Sequence, residues 1–308
     1  MLSFGLRRLL MAIPTLFILV TLSFFMMQAA PGSPFTGDFN LPAEVLANIE
    51  AKYHLDKPMW QQYLYYLGDL MQGDFGPSFK YRDYSVNELI AASFPVSITL
   101  GTVAFIFTVI FGGTLGVIAA LKQNTWIDYT VMSLAMVGVV LPSFVLAPVL
   151  VLVFAINLQW VPAGGWNDGH WLNLVLPVSA MAILYMASIA RIMRGSMIEV
   201  LHSPFIRTAH AKGLPMKHII FKHALRPAML PVISYLGPAF VGIITGSVVI
   251  ETVFGIPGIG QYFVNGALNR DYSLVLGLTI LVGALTILFT AIVDIVYGLI
   301  DPRIRVEN

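Results

Sequence analysis

Residues 274–300 read LVLGLTILVGALTILFTAIVDIVYGLI, an apolar run interrupted by one charge, Asp294. A helix rises about 1.5 Å per residue, so roughly 20 mostly apolar residues cross a hydrocarbon core of about 30 Å. This run is long enough to do so. It lacks the period-two alternation of a membrane barrel strand, and in lipid such a segment satisfies its backbone groups only as a helix.

Five further runs meet the same test: residues 9–30, 96–121, 129–156, 174 to about 193, and 228–250. The one charge inside them is Arg191, near the end of the fourth. The chain of 308 residues is 57% hydrophobic and 11% charged, with a mean hydropathy of +0.81, more apolar surface than a soluble domain of this size could bury. The expected fold is all-α, a polytopic bundle of six transmembrane helices. Arg7 and Arg8 precede the first run as in a secretory signal, but the run exceeds a signal's apolar core, and Gln28 and Pro31 flank its small residues poorly for cleavage. A retained anchor is expected. With no cysteine, the chain relies on no disulfide or thiolate metal site.

Lys and Arg set the orientation. If the N-terminus is inside, the inner segments hold twelve of the seventeen (Arg7, Arg8, Lys122, seven between Arg191 and Arg226, Arg303 and Arg305). The outer segments hold Lys52, Lys57, Lys80, Arg82 and Arg270. That bias places both termini in the cytoplasm. The first outer segment, 31–95, carries eight acids against four bases and shows helical periodicity. PAEVLANIEAKYH (42–54) groups Val45, Leu46, Ile49 and Tyr53; PMWQQYLYYLGDLM (58–71) groups Trp60, Tyr63, Leu64, Leu67 and Leu70 or Met71. Three parts follow: residues 1–30 with the first span, a helical outer subdomain over 31–95, and a five-helix core over 96–308. The aromatic stripe suits packing against the bundle, and the segment's length also suits docking of a soluble partner or a lid. Trp160, Trp166 and Trp171 in the next outer loop read as interfacial anchors.

One inner segment departs from its apolar surroundings. Residues 205–226 read FIRTAHAKGLPMKHIIFKHALR, and the stretch from Arg191 to Arg226 holds four of the six histidines and one acid, Glu199. Ser203 and Pro204 predict a helix start, Gly213 a turn, and Pro215 a second helix that ends where Pro227 opens the fifth span. Such a basic loop can follow the positive-inside bias alone or touch anionic headgroups. Its charges are too few for nucleic acid. His202, His210, His218 and His223 lack a spacing that converges on a metal.

The helix, glycine turn and second helix resemble the cytoplasmic loop of the membrane subunits of binding-protein-dependent ABC importers, a motif of the form EAAxxxG. Here the frame falls on RTAHAKG, with Ala209 and Gly213 in the alanine and glycine positions and Arg207 and Thr208 replacing the glutamate and first alanine. The peptide branch of that family is closer still, its members reading RTARAKGL and HALRPALLP where this chain has RTAHAKGL and HALRPAMLP. FFMMQAAPGSPFTG, IEAKYHL, GDFGPSF, ITGSVVIETVFGIPGIGQ, NGALNRDYSLV and VDIVYGLIDPRIR extend the resemblance to oligopeptide and dipeptide importers over nearly the whole chain.

The resemblance implies a type I importer fold in a bacterial inner membrane, moving oligopeptides by alternating access. It implies that the loop at about 203–227 couples the bundle to cytoplasmic ATPases through Phe205, Arg207, Thr208, Ala209, Lys212, Gly213, Leu214 and Met216. The partners implied are a paralogous second membrane subunit, two ATP-binding subunits and a periplasmic peptide-binding protein. Absence of GxxxxGK[ST] fits a chain that is no enzyme and holds no cofactor, ATP and Mg belonging to the ATPases.

Two features complete the expectation. GIITG sets Gly242 and Gly246 one turn apart for a close helix approach. FGIPGIG, with Gly255, Pro257, Gly258 and Gly260, cannot continue a helix and predicts a break at the outer rim, where the family reading adds a gate or docking site. Asp294 raises the rival class, a proton-coupled peptide transporter. Its place near the cytoplasmic end, within reach of Arg191, Arg303 or Arg305, suits a structural ion pair instead, and no inverted repeat is visible.

Overall fold

The computed structural model describes residues 2–29, 56–81 and 83–300; the side chains of 2–9, Gly246, Asp294 and 296–300 lie outside that description. The helix expected over 42–54, the expected partners Arg303 and Arg305, and the Asp294 carboxylate therefore fall outside the described residues.

The chain order is α1 (Leu2–Gln28), α2 (Met59–Met71), α3 (Val86–Leu121), α4 (Trp126–Val140) and α5 (Ser143–Leu150), which continues as a π-helical turn, Val151–Asn157. Next come α6 (Trp171–Leu201), α7 (Pro204–Ala211) and α8 (Met216–His218), the last extended by a π-helical turn, Ile219–Ala224, and by Leu225–Ala228. Then follow α9 (Leu230–Phe254), α10 (Ile259–Leu268) and α11 (Tyr272–Ile300). Among the described residues the β pairing is one isolated bridge, Pro77 to Ser85. Among the described residues five helices are long and apolar enough to span a membrane, and α4 with the α5 segment, bent by 111°, makes a sixth when the bent pair is counted as one span.

Two spans differ from the expected runs. α3 starts at Val86 rather than Val96, because Ser85 and Glu88 form a reciprocal cap: Ser85 N donates to Glu88 Oε2 at 2.8 Å and Glu88 N to Ser85 Oγ at 3.2 Å. The helix then runs on through Pro95, so residues 86–95 are continuous with the helix of the second span. The third run is not one straight helix. Pro142 forces Leu141 into extended backbone (ψ 119°), which stops α4 at Val140 before α5 restarts at Ser143.

Small residues set how closely the bundle packs. A Cβ at Gly112 of α3 would lie 2.8 Å from the Met186 carbonyl oxygen, and one at Gly116 would lie 2.6 Å from that of Ala190, so α3 meets the backbone of α6 directly. Gly138 of α4 approaches Ile183 of α6 in the same way. The expected close approach at Gly242 is present, against the Tyr185 hydroxyl of α6. Leu100, Ala104, Leu176, Met181, Ile243 and Ile250 form the buried centre. Leu10, Ile13, Phe17, Leu134, Met136 and Val140 stay exposed, an apolar exterior of the kind that lipid covers.

The aromatic stripe of α2 packs inward, rotated from the expected register. Tyr63, Tyr66, Leu67 and Leu70 face Val20 and Phe24 of α1 with Leu276 and Ile280 of α11, while Trp60, Leu64 and Met71 point out. A hydrogen bond between the Thr21 and Tyr63 hydroxyls (2.6 Å) and one from Gln28 Nε2 to Gln62 Oε1 (2.9 Å) fix that face. The bundle thus has two distinct ends. One carries the turn after α3 and the basic segment from α6 to α9; the other gathers 73–85, 158–170 and the corner before α10.

Candidate functional site

The basic end is built as a small folded unit. Pro204 opens α7, and Ser203, in the capping position, turns its hydroxyl back to the Val200 carbonyl instead of capping α7. α7 closes on a glycine motif: Gly213 N donates to His210 O at 2.9 Å and Leu214 N to Ala209 O at 3.3 Å, with Gly213 at φ +76°. Ile206, Ala209, Ile219 and Ala224 are buried against Met193 and Met197 of α6. The second helix is continuous to Ala228 through its π turn, and Pro227 lies within it, not at the start of the fifth span.

Each expected loop residue has a definite place. Phe205 and Met216 are exposed, 49% and 45%, as outward apolar contacts must be. Leu214 instead packs on the loop's own core, and Ala209 is buried there. Phe221, 72% exposed, is a further outward apolar side chain, one that the sequence reading did not name. Thr208 is turned to its own helix, its hydroxyl donating to Pro204 O at 3.1 Å. Lys212 is exposed at the turn. Arg207 Nη2 donates to the His202 carbonyl at 3.3 Å, a cation placed on the closing end of α6, where the helix dipole favours it.

The opposite end holds a second constellation around α10. α9 ends at Gly255 in left-handed backbone (φ +63°), with Ile256 N bonded to Glu251 O at 2.8 Å. The break is short, because α10 begins at Ile259. Glu251, fully buried, accepts from Gly260 N at 2.7 Å, and Ser97 Oγ of α3 accepts from Ile259 N at 2.9 Å. Thus two side chains from two spans hold the first turn of α10. Gly258 and Gly260 are buried against them; Gly255 and Pro257 are exposed. Beyond α10, Asp271 is likewise buried and accepts from Ser78 Oγ, Phe79 N (3.1 Å), Lys80 N (3.2 Å) and Leu274 N (3.3 Å), which fastens the 73–85 loop to the start of α11. Tyr262 of α10 meets Tyr81 edge-on at 5.4 Å, and burial raises its hydroxyl above the ordinary tyrosine pKa, keeping it neutral.

Sequence reading named the glycines of this corner but not the acids that require them. An acid beside a glycine and proline cluster was the available signal for Glu251.

A basic helix pair thus stands at one end and a clamped helix at the other. The family described as "Binding-protein-dependent transport system inner membrane component" matches residues 112–306, and its N-terminal counterpart matches residues 1–101. The chain belongs to this family. Its relatives include the oligopeptide transport system permease protein OppB of Salmonella typhimurium, 72% identical over 305 residues (99% of this chain, 100% of the relative). The OppB of Haemophilus influenzae is 69% identical over the same coverage. The dipeptide transport system permease protein DppB of Bacillus subtilis is 46% identical over 294 residues, 96% of this chain and 95% of the relative. As a family member, the chain is a multi-pass inner membrane component of a transport system that depends on a binding protein.

Proposed function

We propose that this chain is one of two membrane subunits of an ATP-driven importer that carries oligopeptides inward by alternating access. The observation that carries this is identity near 70% with oligopeptide permease proteins over the full length. The basic end is the cytoplasmic face, as the distribution of Lys and Arg supports. There the 203–227 unit seats on an ATPase subunit through Phe205, Met216 and Phe221, with Arg207 and Lys212 beside them. ATP and Mg bind on two such ATPase subunits. The second membrane subunit is a paralogue, and a periplasmic peptide-binding protein docks at the opposite end.

ATP-driven closing of the ATPases brings the two membrane subunits' loops together, and the attached helices open the bundle toward the docked binding protein; hydrolysis reverses this. The α10 corner, with Gly255, Pro257, Gly258 and Gly260, is the element of this chain at the periplasmic gate.

Reconstitution tests the reading. Proteoliposomes holding the chain, its second subunit and the ATPases should take up labelled peptide only with ATP and the peptide-loaded binding protein, and should keep doing so when the proton gradient is collapsed. Uptake by the chain alone, driven by a pH gradient and lost in Asp294→Asn, would replace this reading with proton coupling.

A further inference from the structure

The basic loop and the end of α6 are packed as one body. Met193 and Met197 share a buried cluster with Ile206, Ala209 and Ile219, and only His202 and Ser203 separate α6 from α7. Both linking residues bond back to α6, His202 Nδ1 to Ile198 O at 2.8 Å and Ser203 Oγ to Val200 O at 2.5 Å. Close-packed interiors transmit displacement instead of absorbing it. A side chain near the end of α6 is therefore in fixed register with the loop.

Arg194 is such a side chain, and it leaves α6 toward a different element. Its Nε donates to Asp128 Oδ1 at 2.5 Å and its Nη2 to Asp128 Oδ2 at 2.6 Å, a two-point grip on the first turn of α4. The Asp128 side chain is 1% exposed, and its Oδ2 also accepts from Asn124 N at 3.0 Å, so the turn leaving α3 is held by the same carboxylate. Along the rest of α4, Gly138 lets Ile183 and Ala187 of α6 approach closely. The outward side of α4 is bare in this chain: Trp126, Tyr129, Leu134 and Met136 are all exposed. Past Val140 the chain bends by 111° into α5.

Apolar contacts such as that at Gly138 permit sliding, whereas a bidentate guanidinium and carboxylate pair fixes both distance and direction. Separating it would leave a buried charge without its partner, which costs far more than losing an exposed pair. We propose that the Asp128 and Arg194 pair transmits displacement of the basic loop to the bent α4 and α5 span, which makes both of them positioning residues for transport. This rests on the reading that ATPases drive the loop.

The test is peptide translocated per ATP hydrolysed, in the reconstituted four-subunit complex with its binding protein. Asp128→Asn and Arg194→Gln should assemble and hydrolyse ATP near the wild-type rate, while peptide moved per ATP falls about tenfold, the scale of a typical coupling between sites. The charge exchange, Asp128→Arg with Arg194→Asp, should recover part of that loss. A purely structural pair would lower hydrolysis and uptake together and leave their ratio unchanged, and that result overturns the proposal. Should the neutral variants fail to assemble, Asp128→Glu and Arg194→Lys keep the charges but spoil the two-point geometry, and an unchanged ratio in them overturns it equally. A wild-type complex with no ATP-dependent uptake would instead sink the proposed function and is read separately.

Discussion

Gly213 and Gly260 show how the same residue type serves different ends. At Gly213 nothing lies within 4 Å of where a Cβ would stand, so its requirement is its backbone, φ +76°. Gly213→Ala should cost about 1–2 kcal/mol, the penalty for left-handed backbone. At Gly260 a Cβ would fall 2.4 Å from Val248 Cα, so Gly260→Ala must push α10 away from α9. Its cost, about 1–3 kcal/mol of overpacking, should appear as a lower unfolding temperature in detergent together with loosened protection of α10. The first role was legible because a turn glycine is a local signal; the second depends on a contact between helices that no spacing announces. Arg207 belongs with the first kind. Reversing charge there and at Lys212 (Arg207→Glu, Lys212→Glu), or placing Gly213→Pro, should abolish both ATPase association and peptide uptake in correctly inserted protein. Either activity surviving would remove the loop from coupling.

Helices were easier to find than their ends. SVNE at 85–88 carries the cap that starts α3, but the apolar run alone begins at residue 96 and leaves 86–95 in the helical outer subdomain; proline breaks soluble helices more readily than it breaks this one. Pro142 acts in the opposite sense and bends the third run, with Leu141 before it in extended backbone. In α2 both faces are apolar, so the stripe alone could not choose Tyr63, Tyr66, Leu67 and Leu70 as the buried set. α10 escaped notice because its first turn is held partly from another span, by Ser97, which lies far away in sequence. Asp271→Ala removes the acceptor shared by Ser78, Phe79 and Lys80, and should make 77–81 the first site cut by protease added to the α10 side. Asp271→Asn, which keeps two acceptor lone pairs, should be cut more slowly.

At the scale of the molecule, composition carried most of the answer. Six apolar runs gave six spans, counting the bent pair as one, because burial in lipid selects length and hydropathy with little regard to partners. The close helix spacing at Gly112, Gly116 and Gly138 stayed hidden for the converse reason, since only the neighbouring backbone shows why a side chain is excluded. Sidedness remains a direct experimental matter, and a chain without cysteine suits it well. Lys217→Cys should react with an impermeant maleimide only from the cytoplasmic side, and Trp60→Cys only from the periplasmic side. The reverse pattern would invert the orientation and move the ATPase contact off the basic loop.

The corner before α10 also constrains which sequences can share this fold. Alanine at Gly258 would first meet side-chain atoms, those of Glu251 and Ser97, whereas alanine at Gly260 would first meet the Val248 backbone. Position 258 can thus drift when 251 and 97 shrink with it, so these three should vary as a linked set across descendants of this chain. Position 260 has no such compensating route, and a library randomised over the corner should return glycine there alone.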